Sequence, residues 1–389
     1  MNKKRIAIFG STGSIGKQAL EVIKSHPDYF EVEVLTGNNN LSLLTQQALE
    51  FHPNVVVIQN ETLYDSLSES LAGTDIKVYA GQQALEQVTG METIDMVLMA
   101  ILGFDALKPL LAALENRKPV ALANKESLVV AGDLITKAAI ENRTPIIPVD
   151  SEHSAIFQSL MGEGDNRIDK VVLTASGGPF LNFKKEELQK ITPDSALKHP
   201  NWKMGDKISV DSATLMNKGM EAMEAMWLFD LSPSQIKVII HPQSIVHALV
   251  YFTDGNVKSV LSTPDMRIPI QFALSYPNRL SSNTPKLDLL KTKALTFQKP
   301  DKEIFRNLAL AFRAMEIGGN LPCILNAAND IAVEAFLEGK LDFLAIPEIV
   351  EKCMNEIKLI KTPSLHDYIE TDKNTRIFAK TLIENKHQQ

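Results

Sequence analysis

The chain has 389 residues, of which 44% are hydrophobic and 22% charged, and its formal net charge is −7. This length exceeds one core of usual size, so we expect more than one domain, and the acidic balance argues against a nucleic-acid partner. Only two cysteines are present, Cys323 and Cys353, without metal-ligand or disulfide spacing, which favours a reducing compartment.

The N-terminal residues are not typical of an export signal. Residues 1–5 are basic, but the apolar run of residues 6–9 ends at Gly10, so the apolar core of a signal peptide is missing. The longest uncharged and apolar-rich run near the middle, between Asp95 and Asp105, is far shorter than the roughly 20 residues of a spanning helix. We therefore expect a cytoplasmic protein without a membrane partner.

A glycine turn follows the first predicted strand. Residues 5–9 are predicted to be a buried strand, Gly10, Gly13 and Gly16 follow, and a helical pattern begins near Ala19. This arrangement is typical of dinucleotide sites, because glycines let the backbone approach a diphosphate and the helix N-terminus offers free N–H groups. The alternative is a turn with only a structural role.

Strand and helix patterns then alternate to residue 149. Further apolar strands are predicted at 31–35, 55–58, 76–79, 96–101, 119–122 and 145–149, and helices at 41–50, 104–115 and 125–141. Such alternation predicts an α/β fold with a Rossmann-type parallel sheet, whose ligand lies beyond the carboxyl ends of the strands.

Polar residues follow two of these strands. After the second come Gly37, Asn38, Asn39 and Asn40, where NAD enzymes usually carry an acidic residue, so the sequence favours NADP. A polar Asn-rich turn is the alternative. After strand 119–122, Asn124 is predicted to cap a helix and to place Lys125 at the strand end, the alternative being an exposed Lys-Glu pair.

An acidic pair follows strand 145–149. In an extended segment Asp150 and Glu152 point to the same side, and two carboxylates aimed at one point need a proton or cation between them. The alternative is a solvated strand end with ordinary surface charge.

The middle of the chain offers anion-binding groups. Ser176 and the glycines after it are predicted to form either an anion nest or a plain turn. Residues 207–211 are predicted to be a short strand, and Asp211 or Ser212 to cap the next helix. On that helix Asn217, Glu221 and Glu224 share one face, so Ser212, Asn217 and Lys218 suit a phosphate and Glu221 a cation.

Loop 195–206 contains His199, Trp202 and Gly205 without a helix or strand period. We predict a lid that closes over the substrate; the alternative is a tryptophan folded back onto its own domain.

Farther on we expect strands at 239–247 and 248–252, a loop at 264–269, a linker at 276–301, and a small helical bundle at 302–389, where no chemistry is evident.

Together these residues predict a reaction class. Asp150, Glu152 and Glu221 form an oxygen-only set, which favours Mg²⁺ or Mn²⁺. We expect a metal-assisted, nicotinamide-dependent reduction of a small phosphorylated hydroxy-carbonyl compound. The alternatives are a semialdehyde-type dehydrogenase, which needs a nucleophilic cysteine, and a non-catalytic NADPH-binding sensor.

Several motifs together resemble one family, 1-deoxy-D-xylulose 5-phosphate reductoisomerase. They span the chain from the first strand onward: Gly10–Gly16, Ala123–Leu128, Pro148–His153, Ser176–Phe180, His199–Trp202, Ser209–Thr214, Asn217–Gly219 with Glu221, and His241–Ser244. The resemblance implies NADPH-dependent rearrangement and reduction of 1-deoxy-D-xylulose 5-phosphate to 2-C-methyl-D-erythritol 4-phosphate, in non-mevalonate isoprenoid synthesis. It also implies a homodimer and inhibition by metal-chelating, fosmidomycin-type hydroxamates.

The resemblance implies four domain assignments: an NADPH-binding domain at 1–150, an α+β catalytic and dimerisation domain at 151–275 that contains the lid loop 195–206, the linker at 276–301, and a C-terminal helical domain at 302–389. The residues that match the family's catalytic groups are Lys125, Glu152, His199 and Trp202. Those matching its substrate contacts are Lys125, Ser151, Glu152, Ser176, His199, Ser212, Asn217, Lys218 and Glu221. Those matching its cofactor contacts are Thr12, Gly13, Ser14, Ile15, Gly37, Asn38, Asn39, Asn40, Asn124, Glu126 and Gly205. Those matching its metal ligands are Asp150, Glu152 and Glu221.

The sequence departs from some members of that family at two positions. Asn39 stands where some members have a basic residue near the 2′-phosphate, and Ala175 replaces a glycine before the serine.

Overall fold

The computed structural model describes residues 3–200, 202, 204–301 and 303–387. The strands are β1 Lys4–Phe9, β2 Phe30–Gly37, β3 Val55–Ile58, β4 Lys77–Ala80, β5 Met96–Met99, β6 Val120–Leu122, β7 Ile146–Pro148, β8 Ile168–Ala175, β9 Ile236–Ile240, β10 Val246–Phe252 and β11 Val257–Leu261.

Sixteen α-helices lie in this described part of the chain. They are α1 Ser14–Ser25, α2 Leu41–Phe51, α3 Tyr64–Ser70, α4 Gln82–Val88, α5 Leu107–Glu115, α6 Lys125–Glu141, α7 Ser151–Leu160, α8 Lys185–Leu188, α9 Pro193–Ala196, α10 Asp206–Ala213, α11 Met216–Leu228, α12 Arg267–Ser275, α13 Arg306–Ile317, α14 Leu321–Leu337, α15 Ile346–Glu356 and α16 Leu365–His387.

The chain divides into two compact units. The N-terminal unit contains the described residues up to 127 together with 133–157 and 265–285. The C-terminal unit contains 128–132, 158–264 and the described residues from 286 onward. The predicted domain boundaries at residues 150, 275 and 301 stay predictions.

The N-terminal unit is built on a seven-stranded parallel sheet in the order β4-β3-β2-β1-β5-β6-β7. Its strands are apolar on both faces because helices cover both, as expected for a parallel sheet. One face buries strand residues such as Ile8 and Ile147 against Leu20 of α1 and Ile270 of α12. The α/β prediction is confirmed, and the carboxyl ends of β1, β5, β6 and β7 lie along one edge.

The C-terminal unit contains a four-stranded sheet in the order β11-β10-β8-β9, in which β8 and β9 are parallel and the other pairs antiparallel. Ala175 at the end of β8 and Ile240 at the end of β9 pack with Leu308 of α13. Helix α14 packs against both α15 and α16. The predicted C-terminal helical bundle is therefore present as α13 to α16.

Two local predictions were wrong. The strand expected at 239–247 ends at Ile240, and residues 241–245 turn, with the Ser244 N–H donating to the His241 carbonyl at 3.0 Å. The loop expected at 264–269 already contains the first turn of α12, which begins at Arg267 and buries Ile270, Ala273 and Leu274 in the N-terminal unit's core.

No helix among the described residues has the length and apolar character needed to cross a membrane.

Candidate active site

The predicted site residues lie on both units. Lys125, Asp150 and Glu152 belong to the N-terminal unit, as do the residues of the glycine turn. The C-terminal unit carries Gly205 and the predicted phosphate-side residues Ser176, His199, Ser212, Asn217, Lys218 and Glu221.

The glycine turn after β1 has the shape that a diphosphate site requires. Gly10 has a φ of +91°, and a Cβ there would lie 2.5 Å from the Ala100 carbonyl oxygen. A Cβ on Gly16 would lie 2.3 Å from the Gly10 carbonyl oxygen, so both positions exclude a side chain. Gly13 precedes α1, and no side chain of the described residues caps that helix. The first-turn N–H groups therefore suit an anionic ligand, and the turn fits a dinucleotide.

The loop after β2 is held by its own asparagines. The Asn40 side chain accepts a hydrogen bond from the Leu43 N–H at 3.1 Å and so caps α2. Asn39 accepts one from the Asn60 side chain at 2.8 Å. Asn38 and Asn39 are exposed, and Gly37 ends β2 against the Thr12 side chain. A Cβ on Gly37 would lie 3.3 Å from the Thr12 methyl carbon, so the strand end and the glycine turn are in contact.

The acidic segment after β7 is not extended as predicted. Strand β7 ends at Pro148, and helix α7 begins at Ser151, with the Ser154 N–H donating to the Asp150 carbonyl at 2.8 Å. Asp150 therefore stands at the helix start, and Glu152 lies in the first turn, so the strand argument for placing them on one side was wrong. The Glu152 carboxylate accepts a hydrogen bond from the Ser151 hydroxyl at 2.7 Å.

Lys125 and Asp150 form a buried ion pair. Their Nζ and Oδ2 atoms are 2.5 Å apart, and the two side chains are 7% and 16% exposed. Lys125 opens α6 directly after β6, and Asp150 follows the neighbouring strand β7. The carboxyl ends of adjacent parallel strands thus bring the two charges together, and each offsets part of the desolvation cost of the other.

Asn124 fixes where Lys125 begins its helix. Its Oδ1 accepts hydrogen bonds from the N–H and hydroxyl of Ser127, which caps α6. Its Nδ2 donates to the carbonyls of Ile101 and Gly103 and to the Glu126 carboxylate at 2.9 to 3.0 Å. The predicted cap is confirmed, and the saturated amide makes the start of α6 rigid.

In the C-terminal unit, Ser176 and His199 are hydrogen bonded. The Trp202 N–H donates to His199 Nδ1 at 3.0 Å, so that nitrogen carries no proton and Nε2–H donates to the Ser176 hydroxyl oxygen at 2.8 Å. Burial lowers the pKa of His199, which favours this neutral form. The Gly178 N–H donates to the same hydroxyl oxygen at 3.2 Å. Both lone pairs are then used, and the Ser176 O–H is left to donate to a further acceptor, such as a phosphate oxygen.

The strand predicted at 207–211 is a helix. Residues 206–213 form α10, which ends at Ala213, so neither Asp211 nor Ser212 caps the following helix and that prediction was also wrong. The residue before α11 is Leu215, with a left-handed φ of +58°. The β-branched residues of the segment favoured a strand, but the Lys207–Asp211 ion pair at 2.8 Å needs the i,i+4 spacing of a helix.

Glu221 lies deep in the C-terminal unit with two donors on it. The Asn217 amide donates to Oε1 at 2.6 Å, and the Lys218 ammonium group pairs with Oε2. Glu221 and Lys218 are 2% and 4% exposed. Asn217 and Lys218, predicted as phosphate contacts, therefore also hold this carboxylate. Helix α11 is buried on its acidic side as well as on its Met220 and Met223 side, unlike a solvated surface helix.

The residues fit a hard divalent cation. Asp150, Glu152 and Glu221 offer only carboxylate oxygens, the donor type that Mg²⁺ and Mn²⁺ prefer. Asp150 Oδ2 is buried and, among the described residues, accepts no well-directed hydrogen bond besides its ion pair with Lys125. A buried carboxylate oxygen of this kind is suited to a cation.

The cysteines do not suit nucleophilic catalysis. Cys323 lies in α14 and Cys353 in α15, both buried and without a disulfide. Burial raises the pKa of Cys353 to about 12 and raises that of Cys323 well above its ordinary value. A thiol with a raised pKa supplies little thiolate, so the semialdehyde-type dehydrogenase lacks its nucleophile.

Family models match most of the chain. Residues 6–132 match the model described as 1-deoxy-D-xylulose 5-phosphate reductoisomerase. Residues 146–229 match the C-terminal domain model of that same description, and residues 261–378 match a further DXP reductoisomerase C-terminal domain model.

Individual relatives agree with these models. A 1-deoxy-D-xylulose 5-phosphate reductoisomerase of Bacteroides fragilis is 53% identical over 383 residues, which cover 98% of this chain and 99% of the relative. The solved reductoisomerase of Zymomonas mobilis with NADPH is 40% identical, with a TM-score of 0.92, and the match covers 98% of this chain and 100% of that one. A solved DOX-P reductoisomerase with NADPH, fosmidomycin and magnesium is 40% identical, with a TM-score of 0.95 and 99% coverage of both chains.

Proposed function

The chain belongs to the 1-deoxy-D-xylulose 5-phosphate reductoisomerase family, and from that premise we propose how its own residues carry out the family's reaction. The protein is an NADPH- and divalent-metal-dependent enzyme that rearranges and reduces 1-deoxy-D-xylulose 5-phosphate to 2-C-methyl-D-erythritol 4-phosphate. The observation that carries the residue assignment is the buried Lys125–Asp150 pair at the ends of two adjacent parallel strands.

We propose that Asp150, Glu152 and Glu221 hold the divalent cation. All three offer oxygen ligands, and the buried Asp150 Oδ2 has no well-directed hydrogen bond among the described residues. The magnesium in a solved relative that is 40% identical supports this assignment. When bound, the cation supplies Lewis-acid polarisation of the substrate oxygens, and NADPH supplies the hydride.

Around the reacting carbons we assign three polar groups. Lys125, Ser151 and Glu152 bind the hydroxyl and carbonyl oxygens of the substrate. Lys125, whose ammonium group is paired with Asp150, assists the proton transfers of the reaction. Glu152 accepts or returns a proton, and its carboxylate accepts a hydrogen bond from the Ser151 hydroxyl at 2.7 Å. Because Lys125 is 6% exposed, its ammonium group acts in a poorly hydrated environment, where its charge is more effective than in water.

The phosphate end of the substrate is assigned to Ser176, His199, Ser212, Asn217 and Lys218. Ser176 has a hydroxyl hydrogen available to donate, because its oxygen already accepts from His199 and Gly178. Lys218 and Asn217 place an ammonium group and an amide on the first turn of α11. His199 and Trp202 close over the bound substrate as part of the lid and exclude water from it.

For NADPH we assign residues that surround the glycine turn. Thr12, Gly13, Ser14 and Ile15 face the diphosphate at the start of α1, and Gly37 to Asn40 take the adenosine ribose. Asn124, Glu126 and Gly205 are assigned to the nicotinamide half. A Cβ on Gly205 would meet none of the described residues within 4 Å, which supports access of a ligand to its backbone. The NADP preference is assigned to amide donors rather than to a basic side chain, because residue 39 is asparagine.

A homodimer and a cytoplasmic location complete the proposal. Both cysteines are unpaired, which supports the reducing compartment. Sedimentation of the purified chain tests the dimer.

The function itself is tested by following NADPH absorbance with and without added Mg²⁺ or Mn²⁺. We expect NADPH oxidation only when the metal and 1-deoxy-D-xylulose 5-phosphate are both present, with 2-C-methyl-D-erythritol 4-phosphate as the product. A non-catalytic NADPH sensor would bind the dinucleotide and oxidise none of it. Turnover that survives complete removal of the metal would contradict the proposed chemistry.

A further inference from the structure

The C-terminal helices contain a buried polar residue to which the proposed function assigns no role. Asn329 of α14 is fully buried, in a helix segment whose neighbours Ala328, Ala332 and Val333 are apolar and buried. Burying an amide costs free energy unless it is hydrogen bonded. An asparagine at this position therefore indicates a specific partner rather than simple helix packing.

That partner is Asp211 of α10. The Asn329 Nδ2 donates to Asp211 Oδ1 at 2.7 Å, and Lys207 Nζ lies 2.8 Å from the other carboxylate oxygen. Asp211 is 3% exposed. The carboxylate of Asp211 is thus held from one side by its own helix and from the other by α14.

The contact extends into a longer chain of ion pairs within the C-terminal unit. Lys207 Nζ also lies 3.1 Å from Asp330 Oδ1, and Asp330 Oδ2 pairs with Arg376 of α16 at 2.7 Å. Arg376 in turn pairs with Asp372 at 2.7 Å. Helices α10, α14 and α16 are therefore tied together by alternating charges, which fixes α10 in rotation about its own axis as well as in position.

The rotation of α10 matters because of its next residue. Ser212, assigned to the substrate's phosphate, directly follows Asp211, and its carbonyl packs against the turn that holds Ser176. A Cβ on Gly178 would lie only 2.9 Å from the Ser212 carbonyl oxygen, so this contact has no spare room. A small rotation of α10 would move Ser212 and disturb the Ser176 turn together.

We propose that Asn329 is a positioning residue for the substrate's phosphate, acting through Asp211 to fix Ser212 and the Ser176 turn. This proposal rests on the proposed phosphate assignment. Asn329 touches no substrate itself. It makes the C-terminal helices part of substrate recognition, whereas the sequence indicated no chemistry there.

The test compares Asn329→Ala with Asn320→Ala. Asn320 is a buried amide of the same bundle, hydrogen bonded to the Lys358 carbonyl, the Thr371 hydroxyl and the Ile360 N–H, and within the described part of the chain it makes no hydrogen bond to α10. Both variants should lower the melting temperature. Only Asn329→Ala should raise KM for 1-deoxy-D-xylulose 5-phosphate, by about tenfold, while KM for NADPH stays unchanged and kcat falls less than KM rises.

Inorganic phosphate provides a readout that does not need turnover. We expect its stabilisation of the protein, measured as a thermal shift, to weaken in Asn329→Ala and to persist in Asn320→Ala. If Asn329→Ala fails to fold, Lys207→Met, at a site 34% exposed, tests the same network with the same expected rise in KM. Equal KM values and equal phosphate shifts in the Asn329 or Lys207 variant and the control would overturn the proposal. An inactive wild-type enzyme would instead count against the proposed function.

Discussion

Lys125 and Asp150 show how single residues acquire chemistry from their positions. Each follows a buried strand, and the two strands are neighbours in the sheet, so their carboxyl ends bring a lysine and an aspartate within 2.5 Å in a poorly hydrated place. Asn124 fixes the lysine by capping its helix through the Ser127 N–H. Ser151 and Glu152 occupy the first turn after Asp150, where their side chains are half-buried and bonded to each other.

Glu152→Gln tests the residue assigned both to the metal and to proton transfer. The change keeps the side chain's size but removes a ligand charge and a proton acceptor, so we expect turnover to fall by about 10²- to 10⁴-fold. The melting temperature should stay close to that of the wild type. Glu141→Gln, at an exposed position at the end of α6, is the control and should retain full turnover. Normal turnover in Glu152→Gln would show that the role assigned to Glu152 is wrong.

At the level of elements, the segments with strong periodicity were predicted and the short mixed ones were not. Helix α6 was predicted at its observed bounds, because a capping Asn124 precedes a long amphipathic pattern. Residues 207–211 were assigned to a strand from their β-branched side chains, although they form part of α10. The Asp211–Asn329 hydrogen bond that holds this helix against α14 joins residues 118 positions apart, and no local sequence pattern indicates it.

The lid segment leads to a pH prediction. His199 accepts a hydrogen bond from the Trp202 N–H through Nδ1, and burial lowers the pKa of its ring below the ordinary 6.5. The bond is fully present above pH 6.5, where the ring is neutral in both the ordered and the disordered loop. It is lost as pH falls from 6.5 through the lower pKa of the ordered loop. KM for the substrate should therefore rise on acidification.

His199→Asn provides the control for this prediction, because asparagine keeps an acceptor for the Trp202 N–H and does not titrate. The substrate phosphate itself titrates near pH ~6 in both proteins, so the ratio of the two KM values isolates the histidine. We expect the wild-type KM to rise more steeply than the variant's between pH 7.5 and 5.5, roughly the range around an unperturbed histidine pKa. Parallel curves would exclude His199 as the titrating group.

For the whole molecule, the sequence predicted the fold class and the family more reliably than it predicted local geometry. The parallel sheet of the N-terminal unit and the C-terminal helices were both predicted and are both present. The roles given to the glycine turn, the acidic segment after β7 and Glu221 stay predictions. The argument that Asp150 and Glu152 lie on one extended strand was nevertheless wrong, because α7 begins at Ser151. Alternation of charge in a short segment does not distinguish a strand end from a helix start, because the backbone dihedral angles that decide between them leave no mark on so few residues.

The central claim is that Asp150, Glu152 and Glu221 together hold one divalent cation. Calorimetric titration of the purified protein with Mn²⁺ tests it most directly, because it measures binding without turnover. We expect one ion per chain, with affinity lowered about 100-fold or more in each of Asp150→Asn, Glu152→Gln and Glu221→Gln. Glu33→Gln is the control, since Glu33 is also buried and held by Asn54 and Thr93. It should bind Mn²⁺ like the wild type. Wild-type affinity in Glu221→Gln would contradict the claim.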